Sequence, residues 1–127
     1  ILRAPFSSAI SDATYPGTGL LHPRVTGMTA ELLHHFVRER QDLTLEEAVN
    51  RLTLRPAERY GLAAKGRIAV GADADLCLFD PEGFRPVGTY ADPRRAAAGM
   101  DWVFVGGRPV LREGQRTGER PGGVLRR

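Results

Sequence analysis

The chain is 127 residues long, 42% apolar and 26% charged, with a formal net charge of +3. That length supports one domain of ordinary size, and that balance excludes a disordered chain. No stretch nears the roughly 18 apolar residues of a membrane span, and no charged-then-apolar leader opens the chain, so no membrane partner is expected and the cytoplasm is the default. The first residue is Ile1 rather than methionine, which points to a piece of a longer protein or to a processed chain.

Arginine carries the positive charge, seventeen residues against the single Lys65. Arg112, Arg116, Arg120, Arg126 and Arg127 gather near the end, diluted by Glu113 and Glu119 and without aromatic side chains for base stacking. The tail reads as a solvated terminus, and nucleic acid is not an expected partner. The single cysteine, Cys77, excludes an internal disulfide, and its neighbours Leu76, Leu78 and Phe79 predict a buried, inert thiol.

In chain order, residues 4–12 are short, mostly apolar or small, and predict a buried strand with a loop beginning at Asp12. Pro16, Gly17, Gly19, Pro23 and Gly27 make residues 13–27 a long loop, a kind of segment that tends to carry function. Thr29 suits an N-cap, and Leu32, Leu33, Phe36 and Val37 then line one helical face. Thr44 followed by Glu47 predicts a capping box, ahead of Leu45, Ala48, Val49 and Leu52 at helical spacing. A short third helix starts near Pro56 and stops at Gly61.

After Leu62 the pattern changes to strands: Arg67 to Val70, Asp75 to Phe79, Trp102 to Val105 and Pro109 to Leu111. Gly71-Ala72-Asp73 turns between the first two, Gly106-Gly107 forms a two-residue hairpin turn, and residues 80–100 form a long connection. An isolated N-terminal strand needs neighbours to bury it, so the chain reads as the end of a larger sheet plus a small antiparallel unit.

Several of these stretches resemble the C-terminal part of the metal-dependent amidohydrolases, and specifically the N-acyl-D-amino-acid deacylase (D-aminoacylase) branch. They are Ser11-Asp12 after an apolar run, His22-Pro23-Arg24, the run from Leu43 to Val49 leading to Arg55-Pro56-Ala57, Gly66-Arg67-Ile68, Gly71-Ala72-Asp73-Ala74-Asp75-Leu76, Val103 to Gly107, and the run from Thr117 to Gly122. The Gly-Ala-Asp-Ala-Asp-Leu segment and the hairpin mark the superfamily, dihydroorotase-like and cytosine-deaminase-like members included. The His-Pro-Arg loop and the tail point to acyl-D-amino acids. The branch commonly has Gly-Ser-Asp-Gly where this chain has Ile10-Ser11-Asp12-Ala13.

The resemblance implies an α/β fold: the C-terminal end of a (β/α)8 hydrolase barrel over residues 1–62, and part of a small β-sandwich over residues 63–127. Residues 4–12 would be the last barrel strand, and catalytic residues of such barrels sit at the C-terminal ends of strands. It implies that Asp12 is the catalytic acid/base and a metal contact; the alternative is an aspartate capping its own loop. It implies that Arg24 binds the substrate carboxylate, for which a guanidinium fork is suited. Zinc is the implied cofactor, with the other ligands upstream, since no His-x-His occurs here and three protein ligands are usual.

His22 is read as bonding the loop backbone or facing the site. The adjacent His34 and His35 are expected to point in different directions on their helix, and neither is assigned a metal role. The expected partners are an N-acyl-D-amino acid and the remainder of the barrel, and the chain alone is expected to be inactive. A hydrolase of cyclic amides or a deaminase is the alternative enzyme, and a non-catalytic split subunit or binding module is the alternative outside catalysis.

Overall fold

The computed structural model describes residues 1–14 and 19–125; Pro16, Gly17, Arg126 and Arg127 lie outside the described residues. Three α-helices precede an antiparallel sheet: α1 (Arg24–Glu31), α2 (Leu45–Leu52), α3 (Leu54–Arg59), then β1 (Leu76–Phe79), β2 (Met100–Val105), β3 (Arg108–Arg112) and β4 (Gln115–Arg116). Between α1 and α2 the helix continues without a break as a π-helical stretch, Leu32–Glu39. No helix among the described residues is long and apolar enough to cross a membrane.

The first helix begins five residues before the expected cap. Thr29 lies inside α1, and Pro23 occupies the N-cap position at φ −56°. Proline's fixed φ is already helical, so the chain turns into the helix there, and the Gly27 and Val25 amides bond back to the Pro23 and His22 carbonyls. Beyond Glu31 the bonding register widens, with the Arg40 amide reaching the His35 carbonyl at 2.9 Å.

The expected capping box is present: Thr44 Oγ1 accepts from the Glu47 amide at 3.2 Å, and Glu47 Oε2 accepts from the Thr44 amide at 2.9 Å. The third helix ends at Tyr60, and Gly61 takes φ +69°, a left-handed conformation that glycine adopts without strain.

Ala30, Leu32, Leu33, Leu43, Ala48 and Phe84 form the buried core. Phe84 comes from the connection after β1 and stacks at a tilt on Phe79, with ring centroids 5.3 Å apart. It therefore joins the helices to the sheet.

Residues 4–12 form no strand, contrary to the sequence expectation. A strand needs a neighbour to take its backbone bonds, and arginine side chains take them here instead. Arg51, 4% exposed, donates from Nη1 to the Ala4 carbonyl at 3.0 Å, the Ser7 carbonyl at 3.3 Å and Ser7 Oγ at 2.8 Å. Arg55 donates to the carbonyls of Pro5 and Ser7, the Ala9 amide bonds the Arg51 carbonyl at 3.1 Å, and Arg3 pairs with Asp42 at 3.3 Å. The N-terminal segment is thus strapped across α2 and α3.

The sheet order is β1-β2-β3-β4, each pair antiparallel, with Cys77 opposite Val103 and Val103 opposite Leu111. Gly106 and Gly107, at φ +55° and +76°, make the expected β2–β3 turn. A second tight turn, Glu113-Gly114 at φ +50° and +75°, adds β4, which the sequence did not announce. Residues 67–70 are not a strand, and Ile68 and Val70 are 91% and 108% exposed. Cys77 is likewise exposed rather than buried, on the edge strand β1 beside an open cavity that Leu33, Val49 and Phe84 also line. Surrounding protein still pushes its thiol pKa up, which keeps it protonated at neutral pH.

The Gly71-to-Leu76 segment has a structural use. Lys65 Nζ bridges Asp73 at 2.8 Å and Asp75 at 2.5 Å, while Asp75 Oδ1 accepts the Gly106 amide at 2.8 Å. The Gly107 amide bonds the Ala74 carbonyl at 2.9 Å. These contacts clip the β2–β3 turn to the segment entering β1.

Two outcomes are expected. Replacing Arg51 with alanine removes the charged donor shared by the part-buried Ala4 and Ser7 carbonyls and the Ser7 hydroxyl, so unfolding in urea should show a loss of about 1–3 kcal/mol, with faster amide exchange over residues 1–9. The clip should show a stability plateau. The Lys65 contact, then the Gly106 amide, hold the Asp75 carboxyl below its usual range, so its contribution is complete above about pH 4 and lost as pH falls through the lowered value. Asp73, then Asp75, hold the Lys65 ammonium above its usual range, so that contribution is complete below about pH 10 and lost as pH rises through the raised value. Melting temperature against pH should show both limbs, the acid limb shrinking in Asp75→Asn.

Candidate active site

Asp12 lies in the irregular run after Ala9, at φ +45°. Aspartate is one of the few residues that accept this left-handed conformation, and Ser11 Oγ supports the turn by accepting the Ala13 amide at 3.3 Å. Among the described residues no backbone amide caps the carboxylate. It stands 83% exposed, with Oδ2 3.8 Å from Arg24 Nη2. So exposed an ion pair contributes about 0–1 kcal/mol, and either partner is free to exchange it for another ion.

Arg24 is the first residue of α1, a helix with no acidic residue in its first turn. A cation at the positive end of a helix is locally unfavourable by about 0.3–1 kcal/mol, so this corner favours anions. The two residues that sequence reasoning singled out, twelve positions apart, are brought together here.

His22 fixes the start of that helix. Its Nδ1 accepts the Arg24 amide at 3.0 Å, the cap that Pro23 has no side chain to provide. An amide only donates, so Nδ1 carries no proton and the neutral ring carries it on Nε2. Nε2–H therefore donates to the Tyr90 hydroxyl oxygen, 3.0 Å away, and the two rings meet edge to face at 5.2 Å. His22 thus bonds the backbone, at the Arg24 amide, and it also lines the cavity beside Arg24.

A cavity of about 560 Å³ opens beside Arg24, with Ile10, His22, Met28, Phe36 and Pro86 among its lining residues. Its wall is chiefly apolar, with Arg24, His22, Glu31 and Ser8 supplying the charged or hydrogen-bonding side chains. An apolar cavity with few polar groups at its edge is the usual form of a small-molecule site.

The other two histidines depart from expectation. His34 Nε2 and His35 Nδ1 both reach the Glu39 carboxylate, at 3.3 and 2.7 Å. The wide π-helical turn brings positions i+4 and i+5 within reach of one side chain, where an α-helix would have separated the rings. The His35 bond lowers the Glu39 pKa. No group of three or more His, Cys, Asp or Glu able to hold a metal occurs among the described residues. A catalytic zinc usually takes three protein ligands, so the described residues do not by themselves fit one.

Sequence reasoning did not find Tyr90 or Arg51. Tyr90 lies 68 residues from His22 in the long connection, and Arg51 is one of seventeen arginines. No local spacing signals either contact.

Residues 8–111 match the model of the Amidohydrolase family. The chain is 42% identical over 106 residues to an N-acyl-D-glutamate deacylase of Alcaligenes xylosoxydans xylosoxydans, covering 84% of this chain and 22% of that protein. A solved D-aminoacylase variant in complex with copper chloride superposes with a TM-score of 0.84 at 36% identity, over 88% of this chain and 24% of the other. The N-acyl-D-glutamate deacylase of Bordetella bronchiseptica, solved with zinc and a phosphonate mimic of the tetrahedral intermediate, does so at 0.73 and 35% identity, over 80% and 22%. The chain thus spans about a fifth of the length of the curated relatives it matches. With its helices, small antiparallel sheet and D-aminoacylase-like fold, the chain belongs to the amidohydrolase family.

Proposed function

We propose that this chain is part of an enzyme that hydrolyses N-acyl-D-amino acids to a D-amino acid and a carboxylate, with Asp12 moving the proton and Arg24 holding the substrate carboxylate. One observation supports this above all: an exposed carboxylate and a guanidinium face each other at 3.8 Å, and the arginine of the pair lines an apolar cavity. The identity to N-acyl-D-glutamate deacylase supports the substrate class.

Amide hydrolysis needs a base to take a proton from the attacking water and an acid to deliver one to the leaving nitrogen. A single carboxylate does both in turn, and Asp12 is solvent-accessible. The substrate's own carboxylate replaces Asp12 as the partner of Arg24, which frees the Asp12 oxygens for the proton. Bidentate pairing fixes the substrate, and the apolar wall receives its hydrocarbon part.

The proposal includes a wider frame. Residues 1–62 would close a (β/α)8 barrel and residues 63–127 would form part of a small β-sandwich, the rest of both lying outside this chain. The exposed Phe6, Ile10, Leu20, Ile68, Val70 and Leu78 support that frame, as surfaces that call for cover. Zinc is the proposed metal, its other ligands outside this chain and Asp12 offering one oxygen. When bound, zinc makes water a nucleophile at neutral pH.

The test is made on the complete enzyme. Asp12→Asn should lower kcat by about 100- to 10,000-fold with substrate binding retained. Arg24→Ala should raise KM for N-acyl-D-amino acids by about 10- to 150-fold, the value of a hydrogen-bonded charge pair. A wild-type enzyme that hydrolyses hydantoins and leaves N-acyl-D-amino acids untouched would overturn the substrate class.

A further inference from the structure

We propose that Tyr90 is a positioning residue for Arg24, acting through His22. The inference rests on the reading of Arg24 as the substrate-carboxylate ligand and extends it to a part of the chain remote in sequence.

Two hydrogen bonds run in series. The Tyr90 hydroxyl takes the Nε2 proton of His22 at 3.0 Å, and His22 Nδ1 takes the Arg24 amide at 3.0 Å. A histidine ring turns freely unless both nitrogens are engaged, and Tyr90 engages the second. The Arg24 amide, which can only donate, selects the tautomer with a bare Nδ1, and the Tyr90 hydroxyl, by accepting from Nε2–H, holds the ring in the orientation that caps Arg24.

Tyr90 is itself held. It stands in a tight turn closed by the Thr89 amide on the Asp92 carbonyl at 3.1 Å and by the Asp92 amide on Thr89 Oγ1 at 3.0 Å. The turn is docked on α1 by Thr26 Oγ1, which donates to the Pro93 carbonyl at 2.9 Å. Pro86 packs so closely on Gly27 that a Cβ there would stand 3.3 Å from it. The same connection carries the buried Phe84. The segment from Phe84 to Pro93 is thus a brace from the core to the first turn of α1, and Tyr90 is where it touches the site.

Arg24 has no other described restraint near its backbone apart from the helix itself. Its side chain is 45% exposed, and among the described residues its ion pair is with the exposed Asp12. Without the cap, the amide turns to water and the first turn frays, which widens the range of guanidinium positions.

The experiment uses Tyr90→Phe in the complete enzyme, a change that keeps the ring and removes the hydroxyl. KM is measured for an N-acyl-D-amino acid and for its carboxamide analogue, which lacks the charge Arg24 binds. The expected result is a rise in KM for the acid of about three- to tenfold, the scale of one hydrogen bond, with kcat less affected and the carboxamide unchanged. In an Arg24→Ala background, Tyr90→Phe should add nothing. Equal effects on both substrates, or none on either, overturn the positioning role.

A second readout does not use turnover. Carbethoxylation of His22 by diethyl pyrocarbonate, followed by mass spectrometry, should run several-fold faster in Tyr90→Phe, and an unchanged rate overturns the link. A wild-type enzyme without activity on N-acyl-D-amino acids fails the functional reading, and the carbethoxylation rate then decides Tyr90's hold on His22 by itself.

Discussion

The geometry of the site depends on a guanidinium that never reaches it. Arg51, on the buried side of α2, gathers the carbonyls of Ala4 and Ser7 and the Ser7 hydroxyl, and so fixes a segment that has no secondary structure of its own. Backbone polar groups removed from water need partners, and a fork of N–H donors from one side chain serves a bent chain better than a sheet ladder would. Five residues beyond Ser7 the chain presents Asp12. Arg24 reaches the same place from the opposite side, on a helix whose start is set by Pro23 and His22. The two charges meet because two separately anchored segments end there.

This division explains how much could be read in the sequence. Features governed by neighbours in the chain were legible: the Thr44–Glu47 cap, the stop at Gly61 and the Gly106-Gly107 turn each depend on a few adjacent residues. The structure also brings together Asp12 and Arg24, the pair that the resemblance singled out. Features governed by distant partners were not legible. Residues 4–12 and 67–70 have strand-like composition, yet neither pairs, because composition describes a preference and pairing requires a second strand. The placement of His34 and His35 failed for a different reason: three-and-four spacing presumes an α-helix, and the Leu32–Glu39 stretch is wound more widely.

Two kinds of apolar surface result. Phe84, Leu33 and Ala48 lie in a true core between the helices and the root of the sheet. Leu78 and Cys77 on the edge strand β1, and Phe6 and Ile10 near the N-terminus, are apolar and exposed. The segment with Asp73 and Asp75 serves architecture through Lys65, whereas Asp12 sits in an irregular run and Arg24 at the first residue of a helix.

The wiring of the sheet bears on how the chain reaches this form. β2, β3 and β4 follow one another through two-residue turns, at Gly106-Gly107 and Glu113-Gly114, so each pairing closes a very short loop. The strap from Arg51 to Ala4 spans 47 residues and the contact from Tyr90 to His22 spans 68. Short closures lose little chain entropy and form in microseconds, while long ones wait until the intervening segments are ordered. The C-terminal meander therefore nucleates early, and the reactive corner assembles late, during the last steps of folding.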